Sequence, residues 1–575
     1  MVFVPAPCVP ELGDVPDSIT LEQFINDEKY GRHPSARSRN PYTCGITGKT
    51  FTCEEVKNRT TYMARAISKR LGFLPNEDTE WHKVACIYSL NTIDYIPLTH
   101  AIHRLSGIVT PASAAYSALE LQHQLKSSNA TALFTCAPLL ENALKAAEGA
   151  GISRDRIFLL ELPGASGGSG FVTVENLVSE GAKLPELDPL RWAKGQGARQ
   201  VAYLCYSSGT SGLPKAVMVS HRNVIANSMQ IRLIDRDPRK EIGIDSQVTM
   251  GLLPFSHIYA LVVVTHVGTY RGDEIIVLPR FEFKTFLSSI QDYKINQVSV
   301  VPPIIINLIR NQAIASKYDL SSVRFLYTGA APLGSETVTE LLKQYPNWKV
   351  GQGYGMTETA TGMVSTREND ILVGSSGNLL PGSRAKIIDF DGKEVTEYEK
   401  PGELYFQGPA VTLGYLNNEK ATAETFVWDE DGRWIRTGDE VLVRLAPSGT
   451  EHFVIVDRIK ELIKVKGHQV APAELEAHLL THPHVSDCTV IQVPDEMAGE
   501  VPKAFVVKSA AATGSDDEVA RGIAKHVEDH KARYKWLKGG VEFIDVIPKS
   551  PSGKILRRLL RDKDKESRRA KGAKI

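Results

Sequence analysis

From Thr50 onward the chain alternates between helical periodicity and short apolar runs, and this alternation limits the fold more than any other feature. Glu54–Leu71 and Ser117–Ser127 carry helical patterns, whereas Lys83–Tyr88, Ala132–Thr135, Ile157–Leu160 and Val201–Tyr206 read as buried strands. Strands separated by helices pair in parallel, so the expected class is α/β, with parallel-rich sheets covered by helices. The alternation continues through Val248–Val301, where V-S-V-V-P-P ends a strand at Pro303. Around residues 380–450 the texture changes to short strands and turns, such as Gly402–Gln407 and His452–Val456, which predicts a β-rich subdomain. After Asp457 comes a smaller α+β segment, with strands near Val485–Val493 and Lys503–Val507. Residues 1–40 are Pro-rich with one helical patch at Ser18–Lys29, and beyond Lys554 a mixed-charge helix is expected to fade into disorder.

At 575 residues the chain has room for two or more domains with large cores. Lys+Arg and Asp+Glu are both 67, so the net charge is zero, which argues against nucleic acid or an anionic membrane as a general partner. The seven cysteines are scattered and form no C-x-x-C, and they read as reduced thiols. No apolar run approaches the roughly 20 residues that span a bilayer. The start, M-V-F-V-P-A-P-C, lacks the basic segment and continuous apolar core of a secretory signal.

Tyr206–Val217 reads Y-S-S-G-T-S-G-L-P-K-A-V and follows a buried strand directly. Glycines let backbone N–H groups approach a ligand at positive φ, hydroxyls donate to phosphate oxygens, and Lys215 supplies a point charge. The spacing fails the Walker A pattern, because Lys215 follows Pro214 and precedes Ala216. Residues alone therefore give a phosphate loop of another kind. Gly351-Gln352-Gly353-Tyr354-Gly355-Met356-Thr357-Glu358 is the second string; its alternating glycines permit close backbone approach, and a hydroxyl and a carboxylate follow. Arg436-Thr437-Gly438-Asp439 sets a carboxylate in a turn, where it can accept from two vicinal hydroxyls. By themselves such strings also serve as ordinary turns.

Together these strings resemble the adenylate-forming superfamily of acyl- and aryl-CoA synthetases, firefly-type luciferases and peptide-synthetase adenylation domains. The resemblance runs from about residue 20 to 560. Q-G-Y-G-M-T-E, V-D-R-I-K-E-L-I-K-V-K-G and Q-V-A-P-A-E-L-E are similar to the 4-coumarate–CoA ligase-like branch. Two departures are Ala216 and Ala330, where relatives commonly have glycine.

The resemblance implies a large AMP-binding domain at 1–456, a hinge at 457–460 pivoting on Lys460, and a small mobile domain at 461–575. It assigns Ser207, Ser208, Gly209, Thr210, Ser211, Gly212, Lys215 and Thr357 to the phosphates of ATP, and Glu358 to Mg²⁺. Ala330, Gln352, Gly353 and Tyr354 flank the adenine, with Ala330 and Gly353 also bordering the acyl group. Asp439 binds the ribose hydroxyls with help from Arg458, and Lys464 and Gln469 face the adenylate. Arg280, Lys466 and Gly467 meet CoA. His257, Tyr259 and Val263 line the acyl pocket. Lys554, in Pro548-Lys549-Ser550-Pro551-Ser552-Gly553-Lys554, becomes the catalytic lysine of adenylation.

The implied activity is ATP-dependent ligation of a carboxylic acid to CoA through acyl-AMP, with Mg²⁺, ATP and CoA required. Valine at 263, where plant hydroxycinnamate ligases commonly carry a polar residue, implies an apolar acid, aryl or medium-chain aliphatic. The same residues also serve enzymes that load a separate carrier protein and luciferase-like monooxygenases. Finally, Ala573-Lys574-Ile575 resembles the tripeptide read by peroxisomal import receptors, so the expected location is the peroxisome, otherwise the cytosol.

Overall fold

Strong local signals set the helices. Thr52, Ser117, Ser220 and Ser515 each cap a helix in a reciprocal box, with Glu55, Glu120, Asn223 and Glu518 as the respective third residues. The helices that follow are Cys53–Leu71, Ala118–Ser127, His221–Glu241 and Asp516–His530. The patch expected at Ser18–Lys29 is a shorter helix, Leu21–Asn26, capped by Thr20, followed by a 3-10 turn at Glu28–Tyr30. This computed structural model describes residues 1–165, 167–168, 170–207, 214–550 and 553–572. The assignments to Ser208, Gly209, Thr210, Ser211 and Gly212, and to Ala573, Lys574 and Ile575, lie outside the described residues.

Two large sheets form the first domain. A seven-stranded sheet runs Val172–Thr173, Ile157–Leu160, Ala132–Cys136, Val84–Tyr88, Ile108–Ala112, Val201–Ser207, Lys215–Ser220 in spatial order. Its strands are parallel except the last, which returns antiparallel to Val201–Ser207. A nine-stranded sheet has a parallel centre, with Phe325–Thr328 between Gln297–Val300 and Lys349–Met356, and antiparallel pairs at both ends. Both sheets are buried between helices, and one large apolar core runs through them, with two smaller clusters on the seven-stranded sheet. The β-rich subdomain is a five-stranded antiparallel sheet built from Arg384–Ile388, Gly402–Gln407, Phe426–Asp429, Gly432–Leu445 and Glu451–Arg458.

The second domain has its own core around Ile463, Val490, Phe505 and Ile523. Its sheet is longer-stranded than expected, Val485–Asp495 against Gly499–Lys508. Within the segment expected to act as the hinge, Asp457 and Arg458 belong to strand Glu451–Arg458 of the first domain, and the chain turns where Glu461 and Leu462 donate to the Arg458 carbonyl. The C-terminal segment is also more regular than the charge pattern implied, a helix from Arg557 to Gly572 held by the Arg557–Glu476 and Arg561–Glu461 ion pairs. No helix among the described residues is long and apolar enough to cross a membrane.

Candidate functional site

The phosphate-loop strands carry Ser207 and Lys215 directly opposite one another, which places both mouths of the loop side by side. Ala216 sits in the same strand with its methyl buried among Val84, Ile108, Val201 and Leu204, so the extra carbon joins a core. Residues 413–416 add a further pairing to this strand, through Met218 N–H to Gly414 O at 2.9 Å and Leu416 N–H to Ala216 O at 2.9 Å. That pairing sets the Tyr415 ring 4.6 Å from the Lys215 ammonium. The Tyr415 hydroxyl donates to Oε1 of buried Glu358 at 2.8 Å. Tyr415 thus ties the phosphate-loop lysine to the carboxylate assigned to Mg²⁺, and it lies outside every motif named above. Its only signal was the Gly414-Tyr415-Leu416-Asn417-Asn418 string.

Thr357 opens a 3-10 turn, Thr357–Thr359, at the end of strand Lys349–Met356. The turn is clamped by Thr412, whose backbone N–H and hydroxyl both donate to the Glu358 carbonyl at 3.0 Å. Upstream in that strand, Gln352 accepts from the Leu333 N–H at 3.3 Å, tying the strand to the loop that carries Ala330. Ala330 has φ +67°, the left-handed region where glycine is at ease; its methyl costs on the order of 1 kcal/mol there. A Cβ on Gly353 would lie 2.1 Å from the Tyr327 hydroxyl, so a side chain there must displace that ring.

Two of the acyl-pocket candidates, Tyr259 and Gly353, meet at that tyrosine. Tyr327 exchanges a hydrogen bond with Ser365 at 2.8 Å, and the Tyr259 hydroxyl donates to the Tyr327 carbonyl at 3.3 Å. Val263 is buried on a π-helical turn, Ala260–His266. His257 precedes it; its Nδ1 accepts from the Tyr259 N–H at 3.3 Å, which puts the ring proton on Nε2. Burial, then the charge of Lys554, hold the His257 imidazole down to about 4, so it is neutral at pH 7.

Asp439 is buried on strand Gly432–Leu445 opposite Arg458, whose Nε lies 3.7 Å from its carboxylate. The Tyr354 hydroxyl donates to the other carboxylate oxygen at 2.6 Å. Burial pushes the Asp439 carboxyl up, against the opposing pull of Arg458, Tyr354 and Lys554. Lys554 itself is held down to about 8, by burial first and by Arg458 second, while Asp439, Glu358 and Glu461 favour its charged form. One ammonium from the second domain is therefore presented to Asp439, Glu358 and His257 of the first.

The lysine loop is seated by shape. A Cβ on Gly553, at φ +82°, would lie 3.1 Å from the Val301 side chain, so only a glycine lets the loop lie against the end of strand Gln297–Val300. Arg310 bridges the domains, donating to the Val485 carbonyl at 2.9 Å and the Ser486 hydroxyl at 3.1 Å. Helix Pro472–Leu479 packs Ala477 on Gly334, so closely that a Cβ on Gly334 would stand 2.8 Å from that of Ala477.

Lys464, Lys466, Gly467 and Gln469 are not presented to the same place. They stand exposed on the hairpin Ile463–Val470, held from behind by Ala498 and Glu500. Lys466 and Gly467 at φ +49° and +85° make its two-residue turn. Lys460 is exposed at the interdomain turn, and Arg280 is exposed just beyond strand Glu274–Val277. In this arrangement the second domain offers Lys554 to the site and keeps its hairpin outside.

Known proteins share this layout. The family model described as AMP-binding enzyme matches residues 30–416, and that described as AMP-binding enzyme C-terminal domain matches residues 474–554. The chain is 41% identical to Acyl-CoA ligase AFT1-1 of Alternaria alternata over 570 residues, 98% of this chain and 97% of that one. It is 37% identical to Acyl-CoA ligase easD of Emericella nidulans, covering 98% of this chain and 100% of the relative. Among solved structures, the anthranilate CoA ligase AuaEII in complex with anthranoyl-AMP superposes with a TM-score of 0.78 at 22% identity, over 96% of this chain and 98% of the other.

Proposed function

The chain belongs to the AMP-binding enzyme family and is an AMP-forming acid–CoA ligase, and we propose that the acid it activates is apolar, aryl or medium-chain aliphatic. The observation that carries the substrate reading is the Tyr259–Tyr327 pair, whose hydroxyls both bond to protein partners, Ser365 among them; Val263, also assigned to the pocket, would add only hydrocarbon. A site so lined rewards apolar area and offers little to a hydroxylated tail. In this reading the enzyme sits beside the 4-coumarate–CoA ligase-like branch, with a less polar acid pocket.

A carboxylate is a poor acyl donor, and its attack on the α-phosphorus of ATP brings two anions together. Lys554 is placed to offset that repulsion and to stabilise the charge that develops in the transition state. Asp439 receives the ribose hydroxyls, kept ionisable by the Tyr354 hydroxyl and Arg458. Gln352, Gly353, Tyr354 and Ala330 form the adenine and acyl border. Ser207, the loop to Gly212, Lys215 and Thr357 hold the phosphates. The donors around Glu358 suit Mg²⁺, which takes one or two protein carboxylate oxygens plus phosphate and water, and Tyr415 occupies only one oxygen of Glu358. Bound there, Mg²⁺ would neutralise phosphate charge during pyrophosphate departure.

For thioester formation the thiol of CoA must reach the acyl carbon where Lys554 now stands. Rotation about Lys460 withdraws Lys554 and brings the exposed hairpin with Lys464, Lys466, Gly467 and Gln469 inward, with Arg280 at the CoA entrance. An ATP–pyrophosphate exchange screen over a panel of acids, followed by CoA-dependent AMP release, tests the reading. Exchange with cinnamic, arylacetic or medium-chain acids supports it; exchange only with polyhydroxylated or amino acids rejects the apolar pocket.

A further inference from the structure

Apart from the site described, the second domain gathers His478, His482, His484, His526 and His530 into one patch, out of 15 histidines in the chain. None of them has a part in adenylation or thioester formation. His478 lies near the end of helix Pro472–Leu479, and His526 and His530 lie one turn apart on helix Asp516–His530, on the face that meets it. The His478 and His526 rings stack at 4.2 Å, 3° from parallel. One ring nitrogen from each of His478, His526 and His530 lies within 4.8 Å of those of the other two.

The hydrogen bonds leave these rings ready to donate lone pairs. The His526 carbonyl sits 3.1 Å from His478 Nε2 and 2.8 Å from His530 Nδ1, and a carbonyl only accepts. Both of those nitrogens therefore carry protons, and in the neutral form of each ring the other nitrogen holds the lone pair. Thr481 spends its proton on the His478 carbonyl at 2.7 Å, so its oxygen accepts from His526 Nε2 at 3.0 Å, which leaves Nδ1 of His526 with its lone pair. Such outer partners, fixing the tautomer of each imidazole, are what accompanies metal-ligating histidine. Converging imidazoles suit zinc, nickel or copper rather than Mg²⁺.

We propose that His478, His526 and His530 form a three-histidine site for one divalent transition cation, with solvent or His482 completing the shell. Metal–nitrogen bonds of about 2 Å call for ring nitrogens about 3.3 Å apart in a tetrahedron. These partly exposed rings reach that spacing by small rotations. The cation pins helix Pro472–Leu479 to helix Asp516–His530, and so braces the helix whose Ala477 packs on Gly334.

The test uses the full chain without a histidine tag, stripped with chelator. Cobalt(II) is followed by its visible absorption and zinc(II) by calorimetry, with thermal midpoints recorded with and without zinc. One equivalent per chain is expected, with a zinc-dependent rise in midpoint. His530→Gln, at an exposed position, and His526→Gln/His530→Gln should weaken binding at least about tenfold. Pyrophosphate exchange by His530→Gln should stay at the parent level, which certifies its fold. Absence of stoichiometric uptake by the parent chain, or unchanged affinity in the folded His530→Gln protein, overturns the proposal.

Discussion

The Tyr354 hydroxyl donates to the Asp439 carboxylate at 2.6 Å, joining the nine-stranded sheet to the β-rich subdomain across 85 residues of sequence. The bond both orients Asp439 and opposes the upward push of burial on its pKa. Tyr354→Phe should therefore raise the KM for ATP by about tenfold or more, with a smaller effect on kcat. Losing a hydrogen bond to a charged group is worth about 1.5–3 kcal/mol. An unchanged KM would show that Asp439 needs no such support.

Lys554→Ala should reduce acyl-AMP formation by about 10²–10³. Supplied with synthetic acyl-AMP and CoA, the same variant should still make thioester. A loss of equal size in both half-reactions would remove the role given to Lys554.

The pH profile carries the same residue. Lys554 is held down to about 8, so it is charged below that pH and loses its charge above it. The kcat/KM of pyrophosphate exchange should fall on an alkaline limb near pH 8, since kcat/KM reports the free enzyme. Lys554→Arg, if active, should move the limb upward; a limb at the same pH in that variant would assign it to another group.

Domain motion makes opposite predictions for two sites. Lys460→Pro restricts φ at the turn and should leave pyrophosphate exchange near normal while depressing CoA ligation. Ala477→Leu forces bulk against Gly334, where overpacking costs about 1–3 kcal/mol, and should depress exchange while sparing thioester formation from acyl-AMP. If both variants lose the two steps equally while remaining folded, a single fixed arrangement serves both.

Acid stability should depend on four buried histidines. His100 and His103 are held down to about 3 and about 4, and His221 and His266 are well below their ordinary value, all chiefly through burial. An unfolded histidine titrates near 6.5, so the unfolded chain binds more protons as pH falls below that value. Stability is fully present above about pH 6.5 and is lost toward pH 4, with each ring contributing up to about 1.4 kcal/mol per pH unit. Urea midpoints at pH 8 and pH 5 measure this; equal midpoints would mean that the cluster is not buried as described.

Interactions within a few residues settled what could be read from the chain alone. The helix read at Glu54–Leu71 and the buried strand read at Val201–Tyr206 were legible because hydrophobic period acts over about one turn or one strand. The nucleotide-site strings were legible for a related reason, since a tight turn with its ligand groups is contiguous. The tertiary structure decided what those strings could not. Tyr415 reaches Lys215 and Glu358 only because residues 413–416 pair with strand Lys215–Ser220. Strand Glu451–Arg458 runs into the first two residues of the expected hinge because Asp439 and Arg458 pair across the ladder. The charge of Lys554 is felt at Asp439, Glu358 and His257 because the domains are seated together, Gly553 against Val301 and Ala477 against Gly334. Such contacts follow from which distant apolar faces bury together, and the local pattern of each segment carries no record of its partner.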